Sequence, residues 1–585
     1  MPTDFVSHVR AQVAVYGDDR SYTYHREVGR ELVAEEVTYR ELDRDARALA
    51  VWLSTRPEAE HPVMLLYVDG IDFLRAFLGC LYAGVVAVPA PVPHDERSMQ
   101  RVATMFADAD VRLVLTTSAV AEPLDSWIRE SGLAATVSVA ATDTAELGDP
   151  DPDPDHWRLP GLDAGTLAFL QYTSGSTSEP KGVMVTHGNL LHNAAAMTEA
   201  NGADDTVTGV GWLPHFHDMG LIGMLLLPLY FGGNLAFMSP MAFLKRPVRW
   251  LQLIDSYRAD MTLGPNFAYD LVARRIPDDQ LAGLDLSSVR VALNGAEPIR
   301  PRTLDAVIDR LGPVGFRAGA FLTAYGMAEA TLLATASEVG CAPKYLDVDA
   351  AALERHELTP KAGGARLVGS GRPFGCDIRI VDPHTGREQP RGRVGEIWIS
   401  GGSVAAGYWR RPDETAEKFR ATLDGDGPYL RTGDLGVFDD GHLYVTGRLK
   451  DLLIVNGRNL YPQDIEEAVR DLHPALTGSA GVVFSLDTGQ HERLLVIHEV
   501  RTALIDDLTL PALARRIRLG VARTFDVHAP SVVLVDRRGV HRTTSGKVQR
   551  RSMRASFLRS RVDAVLHEDI DPAVQRLRTT TAVPA

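Results

Sequence analysis

The chain has 585 residues and a mass of 63.8 kDa, with 45% hydrophobic and 23% charged residues. That is the length of more than one domain with a sizeable core, and it excludes a mainly disordered chain, a collagen-like fibre and a small disulfide scaffold. A net charge of −15 argues against a nucleic-acid binder.

The three cysteines, Cys80, Cys341 and Cys376, are odd in number and far apart. They support neither a disulfide framework nor a CxxC metal pair, and fit a reducing compartment, the cytoplasm. Charge is uneven: residues 451–585 hold 19 Arg and Lys against 16 Asp and Glu, a small basic excess on an acidic chain. Only 7 of the 61 basic residues are Lys, so a retained Lys marks a position where a compact ammonium is wanted.

Asp4, His8, Arg10 and Asp18 interrupt any apolar opening run, so no signal peptide is expected. Residues 63–68 predict a buried strand, 72–84 a helix, 85–88 a strand ended by Pro89, and 113–117 another strand. Residues 149–160, with alternating Asp and Pro, predict a loop or linker. The 26 residues from 219 to 244 carry no charge and are long enough to span a membrane. Pro228, Gly232, Gly233, Asn234, Ser239 and Pro240 instead divide them into a core helix, a turn and a short buried strand, so no membrane span is expected. A strand over 289–293 ends at Asn294 and Gly295. From about Gly392 the pattern turns to strands, at 395–400 and 441–446. Beyond Lys450 and Asp451 follow a helix at 462–472, strands around Val482 and Leu494, a helix near 513–524, a strand at 531–535 and a loose tail from Thr579. Alternating strands and helices argue for layered α/β structure, and the last 135 residues for a compact α+β unit.

Four segments carry chemistry. Residues 172–182, YTSGSTSEPKG, follow an apolar run and precede a helix expected from His187. Small hydroxyls, a glycine and Lys181 in one loop can cradle phosphate, although the spacing is not that of the P-loop NTPases. Residues 429–434, YLRTGD, place Asp434 where a strand is expected to meet a turn; a carboxylate there can accept two ribose hydroxyls. Residues 446–462, TGRLKDLLIVNGRNLYP, offer Arg448 as a fork for hydroxyls or phosphate, and Lys450-Asp451 as a hinge. Residues 543–549, TTSGKVQ, present Lys547 on a turn. Taken singly, the first has a Ser/Thr-rich turn without a ligand as its alternative, and the second reads rather as a capped turn.

Together with residues 212–221 (WLPHFHDMGL), 294–298 (NGAEP) and 325–331 (YGMAEAT), these segments resemble the adenylate-forming superfamily of acyl-CoA synthetases, non-ribosomal adenylation domains and luciferases. The wording of 217–221, 294–299 and 450–462 is most similar to the fatty acyl-AMP ligases, as is a long insert at about 339–367. In that branch such an insert is thought to restrict domain movement and disfavour CoA. Ser178 departs from the family, which usually has Gly there.

The resemblance implies an α/β fold: an N-terminal domain over 1–449 with layered sheets and a small β-barrel-like part, a hinge at 450–451, and a mobile α+β C-terminal domain over 451–585. It implies ATP and Mg²⁺ as cofactors, and two steps: a fatty acid carboxylate attacks the α-phosphate of ATP, and the acyl group of acyl-AMP then passes to a thiol. Thr173, Ser174, Gly175, Ser176, Thr177 and Lys181 would hold phosphates, Glu329 the Mg²⁺, and Asp434 and Arg448 the ribose. Gly295, Ala296, Glu297, Tyr325, Gly326 and Met327 would line the adenine site, with the Tyr325 ring stacked on the base. His217 would sit beside the reacting carboxylate, Met219 in the acyl pocket, and Lys547 would bridge carboxylate and α-phosphate.

The implied acceptor is the phosphopantetheine thiol of a holo acyl carrier protein, as in lipid, polyketide or lipopeptide biosynthesis. It is expected in trans, since the 38 residues after Lys547 are too few for a carrier domain. Residues 537–561 hold nine basic residues and no acid, equally a solvated helix face or a dock for an acidic carrier. The rivals are a fatty acyl-CoA synthetase, an amino-acid adenylation domain (Asp218 keeps this open) and a non-catalytic nucleotide-binding homologue.

Overall fold

The computed structural model describes the chain except residues 1, 30, 69, 134, 145–152, 174–179, 456–457, 490, 506–507, 544–547 and 581–585. Two large sheets form the first part. One has six strands in the order Ser138–Ala141, Leu113–Thr116, Val63–Tyr67, Ala87–Pro91, Leu167–Thr173, Lys181–Thr186, all parallel except the last. The other has nine, with the parallel strands Val291–Gly295, Met261–Pro265, Thr208–Gly211 and Asn234–Met238 near its middle. Strands buried on both faces read as unbroken apolar runs, which is why Val63–Tyr67 was legible. One apolar cluster joins the sheets through the helices Ile71–Ala83 and His187–Asn201 and the uncharged segment 219–231.

The Ile71–Ala83 helix ends at Gly84 with φ +70°, as the Gly at the end of the apolar pattern predicts. Pro89, expected to end the next strand, lies inside Ala87–Pro91. That strand pairs with Leu167–Thr173 at a single position, Ala87 with Phe169, so a missing N–H beyond it is tolerated as on an edge. The uncharged stretch is a buried π-helical segment Met219–Leu226, a short helix Leu227–Phe231, the strand Asn234–Met238 and the helix Pro240–Lys245. Pro228 does not break it but sits in the first turn of Leu227–Phe231, where no N–H partner is needed. No helix among the described residues is long and apolar enough to cross a membrane.

The part expected to be barrel-like is a five-stranded antiparallel sheet built on the long strand Asp426–Asp439, which pairs with Gly395–Ser400, Ala421–Leu423 and His442–Arg448. After Leu452 the chain builds a four-stranded sheet of Gly481–Asp487, Glu492–Glu499, Ser531–Val535 and Val565–Asp569. Side chains alternate across it: Val483, Leu494, Val496 and Val532 pack with the helices Pro462–Asp471 and Leu510–Phe525, and Val482, Leu495, Ile497 and Val533 with Arg550–Leu558 and Pro572–Thr580. The expected tail is helical as far as Thr580.

Candidate active site

The candidate phosphate loop joins two strands rather than a strand and a helix. Thr173, the last residue of Leu167–Thr173, is paired with Lys181, the first of Lys181–Thr186, a strand the sequence pattern did not reveal. Ser174, Gly175, Ser176, Thr177 and Ser178 lie outside the described residues, as does Lys547. The outer edge of Lys181–Thr186 is covered by residues 406–409: Met184 N–H donates to Gly407 O at 2.9 Å, and Trp409 N–H to Gly182 O at 2.8 Å. This brings Tyr408 beside Lys181, whose ammonium lies 5.2 Å from the ring centre. Lys181 also forms an ion pair with Glu414 of the helix Pro412–Phe419. That pair holds the Glu414 carboxyl below its usual range.

Glu329 sits in a single helical turn, Ala328–Ala330, after the strand Phe321–Gly326. The Tyr408 hydroxyl donates to Glu329 Oε1 at 2.8 Å. Burial, with Glu329 adding to it, raises the Tyr408 pKa and keeps that phenol a donor. The second oxygen of Glu329 has a lone-pair face to offer. No group of three or more His, Cys, Asp or Glu gathers among the described residues. One carboxylate, completed by phosphate oxygens and waters, is the way Mg²⁺ is commonly held, so Glu329 fits that ion.

Asp434 is not at a strand–turn junction but within Asp426–Asp439, directly opposite Arg448 on His442–Arg448. Its carboxylate is 7% exposed while the Arg448 side chain is 54% exposed. Arg448 Nε donates to Asp434 Oδ1 at 2.8 Å and Tyr325 Oη to Oδ2 at 2.9 Å. Each carboxylate oxygen keeps a lone pair for a further hydroxyl donor. Tyr325 is placed by the strand Phe321–Gly326, and its hydroxyl is committed to Asp434; burial raises its pKa, Asp434 adding to the effect. At Gly326 a Cβ would collide with Leu332 O, so the bulge between this strand and Leu333–Ala336 requires glycine. Met327 follows, half-buried, as the cap of the turn that carries Glu329.

Gly295 ends the strand Val291–Gly295, and Ala296 takes φ +66°, turning the chain sharply. Glu297 Oε1 accepts from Phe267 N–H at 2.5 Å, so that oxygen is spent on the start of the helix Asn266–Arg275.

His217 lies in the turn before Met219–Leu226, its Nδ1 2.7 Å from Asp218 Oδ1. Gln171 Nε2 donates to Phe216 O at 2.9 Å, tying that turn to the strand that ends at Thr173. Met219 is buried as the first residue of the π-helical segment. A Cβ at Gly220 would collide with Pro214 O, so glycine lets the segment close onto the turn that carries His217. At the expected hinge, Lys450 is exposed and Asp451 accepts from Arg550 Nη1 at 3.3 Å.

Tyr408, Glu414, Lys418 and Gln171 belong to this surround and were not identified from the sequence. Only the scarcity of Lys could have drawn attention to Lys418.

A family model described as AMP-binding enzyme matches residues 9–409. The medium-chain-fatty-acid–[acyl-carrier-protein] ligase JamA of Moorena producens is 41% identical over 540 residues, covering 90% of each chain. The 4-hydroxyphenylalkanoate adenylyltransferase of Mycobacterium tuberculosis is 37% identical over 554 residues, covering 91% of this chain and 88% of its own. A crystal structure of the fatty acyl-adenylate ligase from L. pneumophila, in complex with acyl adenylate and pyrophosphate, superposes with a TM-score of 0.74 at 35% identity, covering 97% of this chain and 98% of its own.

Proposed function

The chain belongs to the AMP-binding enzyme family, and from that premise we propose that it activates a fatty acid with ATP as an acyl-adenylate and passes the acyl group to the thiol of a holo acyl carrier protein. The observation that carries the reading is the buried carboxylate of Asp434, on which Tyr325 of the 325–331 block and Arg448 of the 446–462 block converge.

Asp434 binds the two ribose hydroxyls, with Arg448 beside them; Gly295, Ala296, Gly326 and Met327 form the adenine wall. The reaction joins a carboxylate to a phosphate, so its barrier is dominated by repulsion between anions, and the protein's task is positioning and electrostatic screening. Mg²⁺, when bound at Glu329, neutralises phosphate charge. Lys181 leaves Glu414 for the phosphate oxygens held by residues 173–177. Lys547 supplies the ammonium between the carboxylate and the α-phosphate, a task suited to a compact point charge. His217 orients the acyl carboxylate at the mouth of the apolar region that begins at Met219.

The acceptor assignment is supported by the insert. Glu354 accepts from Arg458 Nε at 2.8 Å and Nη2 at 2.9 Å, and Asn459 Nδ2 donates to Glu354 O at 3.0 Å. These bonds tie residues 339–367 to the paired strands Leu453–Val455 and Arg458–Leu460, just beyond the hinge at Lys450 and Asp451. Within the basic run 537–561, Arg542 and Arg550 pair with the buried Glu499 and Glu466, while Arg551, Arg554, Arg559 and Arg561, like Arg537 and Arg538, are exposed. Arg551, Arg554, Arg559 and Arg561 form the docking face for an acidic carrier. The three free cysteines accord with work in the cytoplasm.

ATP–pyrophosphate exchange tests the first step. Exchange should require a fatty acid, and Glu329→Gln should lower kcat by about 100-fold with little change in the KM for the acid. Exchange supported only by amino acids, or unaffected by Glu329→Gln, contradicts the reading.

A further inference from the structure

Asp434 owes its direction to a bulge. Glu396 lies opposite Leu435, and Trp398 opposite Arg431, so the long strand carries Thr432, Gly433 and Asp434 where its partner has Ile397 alone. Gly433 turns the chain with φ +75°. A bulge removes ladder partners, and the freed backbone groups must be satisfied elsewhere. Side chains do most of this. Gly433 N–H donates to Glu396 Oε1 at 3.0 Å, and Thr432 Oγ1 to Ile397 O at 2.7 Å. The carbonyls of Arg431 and Thr432 both go to one ammonium, Lys418 Nζ, at 2.8 and 3.1 Å.

Lys418 stands four residues after Glu414 on the helix Pro412–Phe419, so the two share one face. The helix therefore touches the phosphate side of the site through Glu414 and Lys181, and the ribose side through Lys418. Between them Thr415 Oγ1 accepts from Tyr408 N–H at 2.9 Å, which steadies the ring bonded to Glu329. The Lys418 ammonium lies 3.5 Å from where a Cβ on Gly433 would stand, a seat that suits a compact cation better than a guanidinium fork.

We propose that Lys418 is a positioning residue for ribose recognition: by holding the carbonyls of Arg431 and Thr432 it fixes the bulge that aims Asp434 at the nucleotide. Burial lowers its pKa, and Lys450 adds to this, while Glu329, Asp434 and Glu396 pull the other way. This inference rests on the assignment of Asp434 to the ribose.

The test compares ATP with 2′-deoxy-ATP and 3′-deoxy-ATP on the full-length enzyme. The wild type should prefer ATP by kcat/KM, and Asp434→Asn should lose that preference. Lys418→Met should lose about tenfold of the preference while the KM for the fatty acid changes less than about threefold. If Lys418→Met does not fold, Lys418→Gln, which keeps an N–H donor but not the charge, carries the same comparison. A variant that keeps the full preference, or loses activity equally with all three nucleotides, overturns the proposal. A wild type or Asp434→Asn enzyme that breaks the expected pattern removes the ribose assignment, and the proposal with it.

Discussion

His498 is wholly buried on the strand Glu492–Glu499, its Nδ1–H donating to Glu499 O at 2.7 Å. Burial lowers its pKa to about 4, and the nearby Arg470 and Arg542 push the same way. His187, which accepts from Phe5 N–H, is likewise lowered to about 4, by burial. An unfolded histidine takes its proton near pH 6.5, so between about 6.5 and 4 the unfolded chain binds protons that the folded one refuses. Stability is then full above pH 6.5 and falls as the pH drops towards 4. Each histidine accounts for roughly 3 kcal/mol of that loss. Urea unfolding of His498→Asn, which keeps a donor towards Glu499 O, should show a shallower acid loss than the wild type. An unchanged slope would remove His498 from the account. Nothing in the sequence marks this histidine as buried; its burial follows from the pairing of distant strands.

At the scale of elements, the Met219–Leu226 segment docks on the Pro214–Asp218 turn because Gly220 has no side chain. Gly220→Ala should lower the Tm by several degrees and reduce kcat more than it raises the KM for ATP, since the displaced group is His217 and not the nucleotide site. An unchanged kcat would show that the turn tolerates the shift. Elements set by local chemistry were legible: Gly395–Ser400 and Ser531–Val535 stand where alternation and apolar runs put them, and the Pro462–Asp471 helix begins at its proline. Elements set by distant partners were not. The strand Lys181–Thr186 exists because residues 406–409 cover its edge, and the Thr432–Gly433–Asp434 bulge because Gly395–Ser400 skips past it. The motifs located Asp434, Tyr325 and Glu329 as residues to examine, but Tyr408 and Lys418 join them through tertiary contacts with no local pattern.

Across the whole molecule, side-chain contacts join the parts on either side of Lys450 and Asp451, among them two arginine contacts. Arg302 Nη1 reaches Asp471 at 3.0 Å, and Arg458 grips Glu354 of the insert with two bonds. Isolated surface pairs contribute little, but a two-bond arginine on a carboxylate that is only 17% exposed restrains geometry as well as adding energy. On the proposed reading, a domain swing in the thiol step would have to break the Glu354 contacts, and the acceptor would then have to supply binding energy of its own. A docked carrier protein can do that through the exposed arginines of 551–561; free CoA lacks the surface. The most direct measurement supplies the purified enzyme with ATP, Mg²⁺ and a fatty acid in the presence of equal amounts of CoA and holo acyl carrier protein, and identifies the products by mass spectrometry. The account predicts acyl-adenylate and acyl-carrier protein from the wild type, with acyl-CoA appearing only when Arg458→Ala frees the insert. Acyl-CoA formed by the wild type as fast as acyl-carrier protein would contradict it.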